Sequence, residues 1–311
     1  MFNNLWVEKY RPKTLTDIVL TDRTKQEIEK FREQKEISHL LFVSSPGQGK
    51  TTLAKIIVTD ILDCVYLYIN ASDENGIDTI RTKITNFAIT KSIDGKLKVI
   101  ILDEADGLTI QAQQALRNVM EEYANNVRFI ITANYAYKII AAIQSRCQSF
   151  EIIPPIEGVV KRVQSILISE KVTVEEEQKV KLINLIRSNY PDLRKIINLI
   201  SKNVINGKLE IQNQNLGLDF AQSVLQKVIE GTDTTAIRRY IIENDSKYNK
   251  DYHGLLKDMF NAVDIDSSLQ KDIVKKRKFM ITLAEHMYRH TFVMDPEINC
   301  YSAIIELTEA N

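Results

Sequence analysis

The stretch Phe42-Val43-Ser44-Ser45-Pro46-Gly47-Gln48-Gly49-Lys50-Thr51-Thr52 follows the apolar run His39-Leu40-Leu41-Phe42-Val43 and opens a segment with helical spacing, Thr51 to Ile61. Strand, glycine-bearing turn and helix, in that order, are the context a phosphate-binding loop requires. Gly47 and Gly49 allow dihedrals closed to other residues, so the N–H groups from Gly47 through Thr52, Gln48 included, can turn inward on an anion at the positive end of a helix. Lys50 is placed to neutralise β- and γ-phosphate oxygens, and the Thr51 hydroxyl to ligate magnesium. Ser44 stands where the pattern has its first glycine. The alternative, a glycine turn beside a surface lysine, gives no reason for the flanking strand and helix.

Outward from this loop, three more near-continuous apolar runs appear: Val65-Tyr66-Leu67-Tyr68-Ile69, Lys98-Val99-Ile100-Ile101-Leu102 and Val127-Arg128-Phe129-Ile130-Ile131. Runs of this kind mark strands covered on both faces. Helical spacing over Asp78 to Ala88 and Ile110 to Tyr123 separates them, which predicts a parallel sheet with right-handed crossovers and an α/β fold. The run at Lys98 ends in Asp103-Glu104-Ala105-Asp106, carboxylates at the edge where such a sheet meets its ligand. Asp103 is expected to hold the magnesium shell, and Glu104 to polarise an attacking water as general base. The next run ends at Asn134, either a γ-phosphate or water contact or a turn residue. Arg146 precedes the last strand-like run, Gln148-Ser149-Phe150-Glu151, and spacing leaves it as a possible surface charge.

After Ile152-Ile153-Pro154-Pro155 the strand signal stops, because consecutive prolines donate no ladder hydrogen bonds. Helical intervals follow at Val180, Ile183 and Ile186 and at Leu193, Ile196, Ile197 and Ile200. The polar stretch Asn206 to Asn215 closes that region, and helical patterns resume with Phe220, Val224 and Val228 and with Leu283 and Met287, broken at Gly231 and Gly254. The expected domains are 1–153, 154–215 and 216–311. The 311 residues carry 41 Lys plus Arg and 41 Asp plus Glu, so net charge points to no nucleic-acid or membrane partner and any such contact must be local. Three scattered cysteines argue against a disulfide framework and a zinc site. No apolar stretch approaches a membrane span and Met1-Phe2-Asn3-Asn4-Leu5 lacks a basic leader, so a cytoplasmic protein is expected. The run Lys275-Lys276-Arg277-Lys278 reads as a solvated helix face.

Taken together, Trp6-Val7-Glu8-Lys9-Tyr10-Arg11-Pro12, the phosphate loop, Asn70-Ala71-Ser72-Asp73-Glu74-Asn75-Gly76-Ile77-Asp78, the Asp-Glu-Ala-Asp strand and Ser145-Arg146-Cys147 resemble sliding-clamp-loader subunits, AAA+ ATPases of the replication factor C small-subunit kind. The resemblance runs from Trp6 to Phe150. Ser44, Asp94-Gly95 and Asn189-Tyr190-Pro191-Asp192-Leu193-Arg194-Lys195 look most like the large subunit of T4-type phage clamp loaders.

The resemblance implies an AAA+ core, a helical lid and an all-helical collar that holds an oligomer together. It implies ATP and Mg²⁺ as ligands, with Val7, Glu8, Lys9, Tyr10 and Val19 at the adenine, Asn134 as first sensor and Arg194 as second sensor on the lid. Arg146 becomes an arginine finger acting on the neighbouring subunit's nucleotide. Implied partners are primer-template DNA, a sliding clamp and other loader subunits, several copies of this chain standing within a hetero-pentamer. Arg81 and Lys83, with Lys91, are the DNA-contact candidates, against a reading as exposed helix charges. Asn75 stands where many relatives carry a basic residue. Gln113 and Arg117 match positions linking DNA contact to catalysis, and Met120 and Tyr123 are either clamp contacts or core. Two other readings stay open: a helicase, since Asp-Glu-Ala-Asp also marks that class, and a nucleotide-binding scaffold without hydrolysis.

Overall fold

The computed structural model describes residues 5–90, 97–211, 215–248 and 250–310. Lys91 and Asp94-Gly95, named above, lie outside them. The chain forms two compact units, Met1–Ile211 and Gln212–Asn311. The first holds a five-stranded parallel sheet of β1 (His39–Val43), β2 (Val65–Asn70), β3 (Lys98–Asp103), β4 (Val127–Ala133) and β5 (Cys147–Glu151), in the order β2-β3-β4-β1-β5. Every residue of β3 is buried. Alternate side chains divide between two cores, as strand geometry requires. Leu41, Ile100, Leu102, Phe129 and Ile131 pack with Ile80, Ile84 and the helix Ile110–Glu122, while Leu40, Phe42, Val99, Ile101 and Ile130 pack with Ile28, Phe31, Leu53 and Ile57. Each such side chain contributes about 1.5–3 kcal/mol by leaving water, so both faces of the sheet are anchored.

Local chemistry sets the ends of the elements. Gly47 and Gly49 take φ of +79° and +100°, and Gly49 caps the helix Lys50–Ile56, which continues as a π-helical turn, Ile57–Ile61. The Thr109 side chain accepts from Ala112 N–H at the start of Ile110–Glu122. The five-stranded sheet ends before the proline pair, and Pro155 is the N-cap of the helix Ile156–Ser169. That helix packs with Glu176–Asn189 and Leu193–Lys202 through Val159, Val163, Leu185, Ile186, Ile196 and Ile200. These helices belong to the first compact unit, which the sequence reading divides into 1–153 and 154–215. Two details differ from that reading. Val180 and Ile183 are exposed, because Leu182, Leu185 and Ile186 supply the buried face of their helix. The polar stretch after Ile205 is a hairpin turn: β6 (Val204–Ile205) pairs antiparallel with β7 (Lys208–Leu209) around Asn206 and Gly207, both at positive φ.

The second unit is helical among the described residues: Asn215–Ile229, Thr234–Glu243, Tyr252–Ile265, Ile273–Arg289 and Pro296–Glu309. Aspartates cap four of these helices, Asp233, Asp251, Asp272 and Asp295, each accepting from a backbone N–H of the first turn. The core includes Phe220, Val224, Met259, Phe279, Leu283 and Ile304. Gly231 breaks the chain at φ +70°, but Gly254, read as a break, lies in the first turn of its helix, its N–H donating to Asp251 Oδ1 at 2.8 Å. The Lys275–Lys278 run lies on the helix Ile273–Arg289, where Lys276 pairs with Asp264 at 2.8 Å. No helix among the described residues is long and apolar enough to cross a membrane.

Candidate nucleotide site

β1, β3 and β4 lie side by side in the sheet, so their C-terminal ends bring the phosphate loop, Asp103 and Asn134 together. Lys50 is buried, and its Nζ donates to Ser44 O at 2.6 Å, Ser45 O at 3.0 Å and Asn134 Oδ1 at 2.8 Å. Thr51 Oγ1 donates to Asp103 Oδ1 at 2.7 Å and Oδ2 at 2.9 Å. Thr132 donates to Asp103 Oδ1 at 2.7 Å and accepts from Glu104 N–H at 3.0 Å. Tyr68, from the neighbouring edge strand, donates to Asp103 Oδ2 at 2.8 Å. Glu104 adopts φ +56° and ψ +42°, a left-handed conformation costing a non-glycine residue about 1–3 kcal/mol. That turn takes it off the strand's alternation, and Ser72 Oγ donates to its Oε2 at 2.7 Å. Asn134 N–H donates to Asp106 Oδ1 at 3.2 Å.

A cleft joins these groups to two other segments. Val7, Tyr10, Ile18 and Val19 line it from the N-terminal side, and Arg162, Leu193, Arg194 and Ile197 from the helices after the sheet, with Gly47 through Thr52 as its floor. Arg162 Nη2 donates to Tyr10 O at 2.7 Å, and Tyr10 O–H donates to Glu170 Oε1 at 2.8 Å. The helix Leu193–Lys202 reaches the phosphate loop itself: Arg194 N–H donates to Gly47 O at 3.4 Å. Its N-cap Asp192 lies so close that a Cβ on Gly47 would fall 1.9 Å from Asp192 Oδ1.

Charge and burial shape this cleft. Burial pushes the Lys50 ammonium below the usual lysine range, against the pull of Asp106, Asp103 and Glu104. Burial, and then the bond to Asp103, push the Tyr68 phenol up, so it remains a hydrogen-bond donor. The oxygen pair of Thr51 and Asp103 suits a hard divalent cation such as Mg²⁺. A buried lysine, loop glycines at positive φ and Arg194, all lining one cleft, suit a polyphosphate.

Of the residues expected here, Val7, Tyr10, Val19, Gly47, Gln48, Gly49, Lys50, Thr51, Thr52, Asp103, Glu104, Asn134 and Arg194 line the cleft. Glu8 and Lys9 do not. Glu8 pairs with Arg11 at 2.5 Å and Lys9 with Glu170 at 2.6 Å, because consecutive residues of a one-turn helix face different ways. Arg146 is also outside the cleft, bound to Ala142 O at 2.6 Å and to the Glu121 carboxylate. Arg81 is exposed on the helical turn Ile80–Ile84, and Lys83 there pairs with Glu74 at 2.7 Å. Gln113 is buried, binding Lys138 O at 2.9 Å and accepting from Ile140 N–H at 2.8 Å, while Arg117 binds Asn118. Met120 is buried and Tyr123 packs against the same core, so core packing accounts for both. Tyr68, Ser72, Arg162 and Asp192 go unsingled in the sequence. Only Asp192 carries a signal there, a capping residue before an apolar helical run.

Residues 40–155 match the family described as ATPase family associated with various cellular activities (AAA). Among solved structures, RuvB of Thermotoga maritima superposes with a TM-score of 0.53 at 16% identity, over 76% of this chain and 88% of that one, a likeness of fold alone. Among curated proteins, the replication factor C small subunit of Staphylothermus marinus is 40% identical, over 72% of this chain and 70% of that protein. That of Thermofilum pendens is 35% identical over 99% of this chain and 97% of its own length. These relatives are archaeal and lend no support to the phage affinity expected from Ser44, Asp94-Gly95 and the segment at Asn189. Likeness at this identity, along nearly the whole length of one relative, shows that the chain belongs to the replication factor C small-subunit family of AAA ATPases.

Proposed function

We propose that the chain is an ATP-hydrolysing subunit of a sliding-clamp loader: ATP binding favours the assembled state that holds a clamp open on primer-template DNA, and hydrolysis releases the clamp closed. The observation that carries this reading is the convergence of Lys50, Thr51, Asp103, Glu104 and Asn134 at one end of the sheet. A bound Mg²⁺ would neutralise phosphate charge there, with Thr51 and Asp103 as its protein ligands. Lys50 stabilises negative charge on the terminal phosphates, and Asn134 keeps the lysine aimed at them through its 2.8 Å contact. Glu104 accepts a proton from the attacking water, and Arg194 brings a guanidinium from the lid. The walls Val7, Tyr10 and Val19 are apolar enough for an adenine ring.

The same reading takes 1–153 as nucleotide core, 154–215 as lid and 216–311 as collar, in a cytoplasmic complex containing several copies of this chain. Arg146 completes a neighbour's site, and Arg81 and Lys83 contact DNA phosphates. ATP turnover of the purified chain with clamp and primed DNA tests it. Glu104→Gln should lower turnover about 100-fold or more while leaving nucleotide binding in place; an unchanged rate overturns the enzymatic reading.

A further inference from the structure

We propose that Tyr68 is a positioning residue for the divalent cation, its phenol O–H fixing the Asp103 carboxylate in the orientation that a Mg²⁺ ion beside Thr51 requires. The inference rests on the ATP and Mg²⁺ reading above. Asp103 is flanked in the sheet from both sides. Thr132 of β4 donates to Oδ1 at 2.7 Å and Tyr68 of β2 donates to Oδ2 at 2.8 Å, so each oxygen has its own fixed partner. The register explains why a tyrosine serves. Asn70 pairs with Asp103, which places Tyr68 two residues back on the same face, about 6.6 Å along the strand. A phenol spans that distance, whereas a serine or threonine hydroxyl stops short. The ring is itself held, with Lys55 Nζ 4.6 Å from its centroid.

The chemistry of the donors matters as much as their placement. Tyr68 and Thr132 are neutral, so they set the carboxylate plane without cancelling the charge that attracts a cation. A lysine or arginine in either place would compete with the metal for the same oxygens. Ionised carboxylates offer about four acceptor positions; Thr132 and Tyr68 take two of them, and the two that Thr51 Oγ1 reaches are the ones a metal beside Thr51 would take over. Partners that orient a metal ligand are generally worth 10- to 100-fold in metal affinity.

Tyr68→Phe keeps the ring and deletes only the donor. Mn²⁺ binding to the full chain with ADP, followed by electron paramagnetic resonance, should weaken by about tenfold in this variant. ADP affinity in EDTA and the melting temperature should stay at wild-type values. Unchanged Mn²⁺ affinity overturns the proposal, and so does loss of metal-free ADP binding, which would make the role a general structural one. A wild-type chain that binds no Mn²⁺ with ADP would instead overturn the ATP and Mg²⁺ reading beneath it. A crystal structure of the unmodified chain with Mg²⁺ and nucleotide checks the contact without any substitution: Tyr68 Oη should lie within hydrogen-bond reach of Asp103, and a phenol turned away overturns the assignment.

Discussion

His39 illustrates how a single side chain ties strand pairing to pH. Its Nδ1 accepts the Phe129 N–H at 3.1 Å, which requires a ring nitrogen without a proton. Burial, and then the nearby Arg128 charge, bring its pKa down from 6.5 to about 4. The unfolded chain therefore takes up a proton between those values and the folded chain does not. Stability from this group is complete above pH 6.5 and is lost as pH falls towards 4. It amounts to at most about 3 kcal/mol. Chemical denaturation at pH 7.5 and pH 4.5 should show the loss, and His39→Gln should reduce the difference between them; an equal difference in both proteins would rule the histidine out. Lys50 belongs to the same scale. Among the described residues its hydrogen-bond partners are loop carbonyls and Asn134, so Lys50→Met should abolish ATP binding in a fluorescence titration while the melting temperature changes little.

The elements divide sharply in how far the sequence reveals them. β1, β3 and β4 are legible because strands buried on both faces are near-continuously apolar, and their order along the chain predicts the crossovers. The phosphate loop is legible because φ of +79° and +100° demands glycine. Helix faces are less so: Val180 and Ile183 keep helical spacing yet stay in solvent, since spacing gives a stripe and the partner decides which stripe is buried. The pair Asn206-Gly207 is a strong hairpin signal that the short strands beside it obscure. Tyr68 and Ser72 are illegible because their roles depend on strand register. Asp192 links element to site. It caps the helix Leu193–Lys202, accepting from Lys195 N–H at 2.9 Å, and presses on Gly47. Asp192→Ala should cost about 1 kcal/mol, read as a lowered melting temperature, whereas Asp192→Asn keeps the cap and the stability. Equal destabilisation by both would show that capping is not the role. Gly47→Ala, at positive φ and against that carboxylate, should weaken ATP binding more than either.

At the scale of the whole molecule, the site inside one chain contains Glu104 and lacks Arg146, which is held by Glu121 and Ala142 outside the cleft. If a neighbour supplies the guanidinium, Arg146→Ala should cut turnover by about 10³-fold or more while nucleotide affinity stays near wild type. If Arg81 contacts DNA phosphates, Arg81→Ala should weaken primed-DNA binding and lower the slope of log affinity against log salt by about one; an unchanged slope would rule the contact out. A mixing experiment separates action between chains from action within one. Glu104→Gln chains keep Arg146, and Arg146→Ala chains keep Glu104; each alone is inactive. Where an Arg146→Ala chain meets a Glu104→Gln neighbour on the correct side, one complete site re-forms. If copies of the chain form a head-to-tail ring, random mixing restores such pairings at about a quarter of the junctions, so turnover should return to roughly that fraction of wild type. Were both residues to act within one chain, every site in the mixture would still lack a part, and turnover would stay at the level of the separate variants.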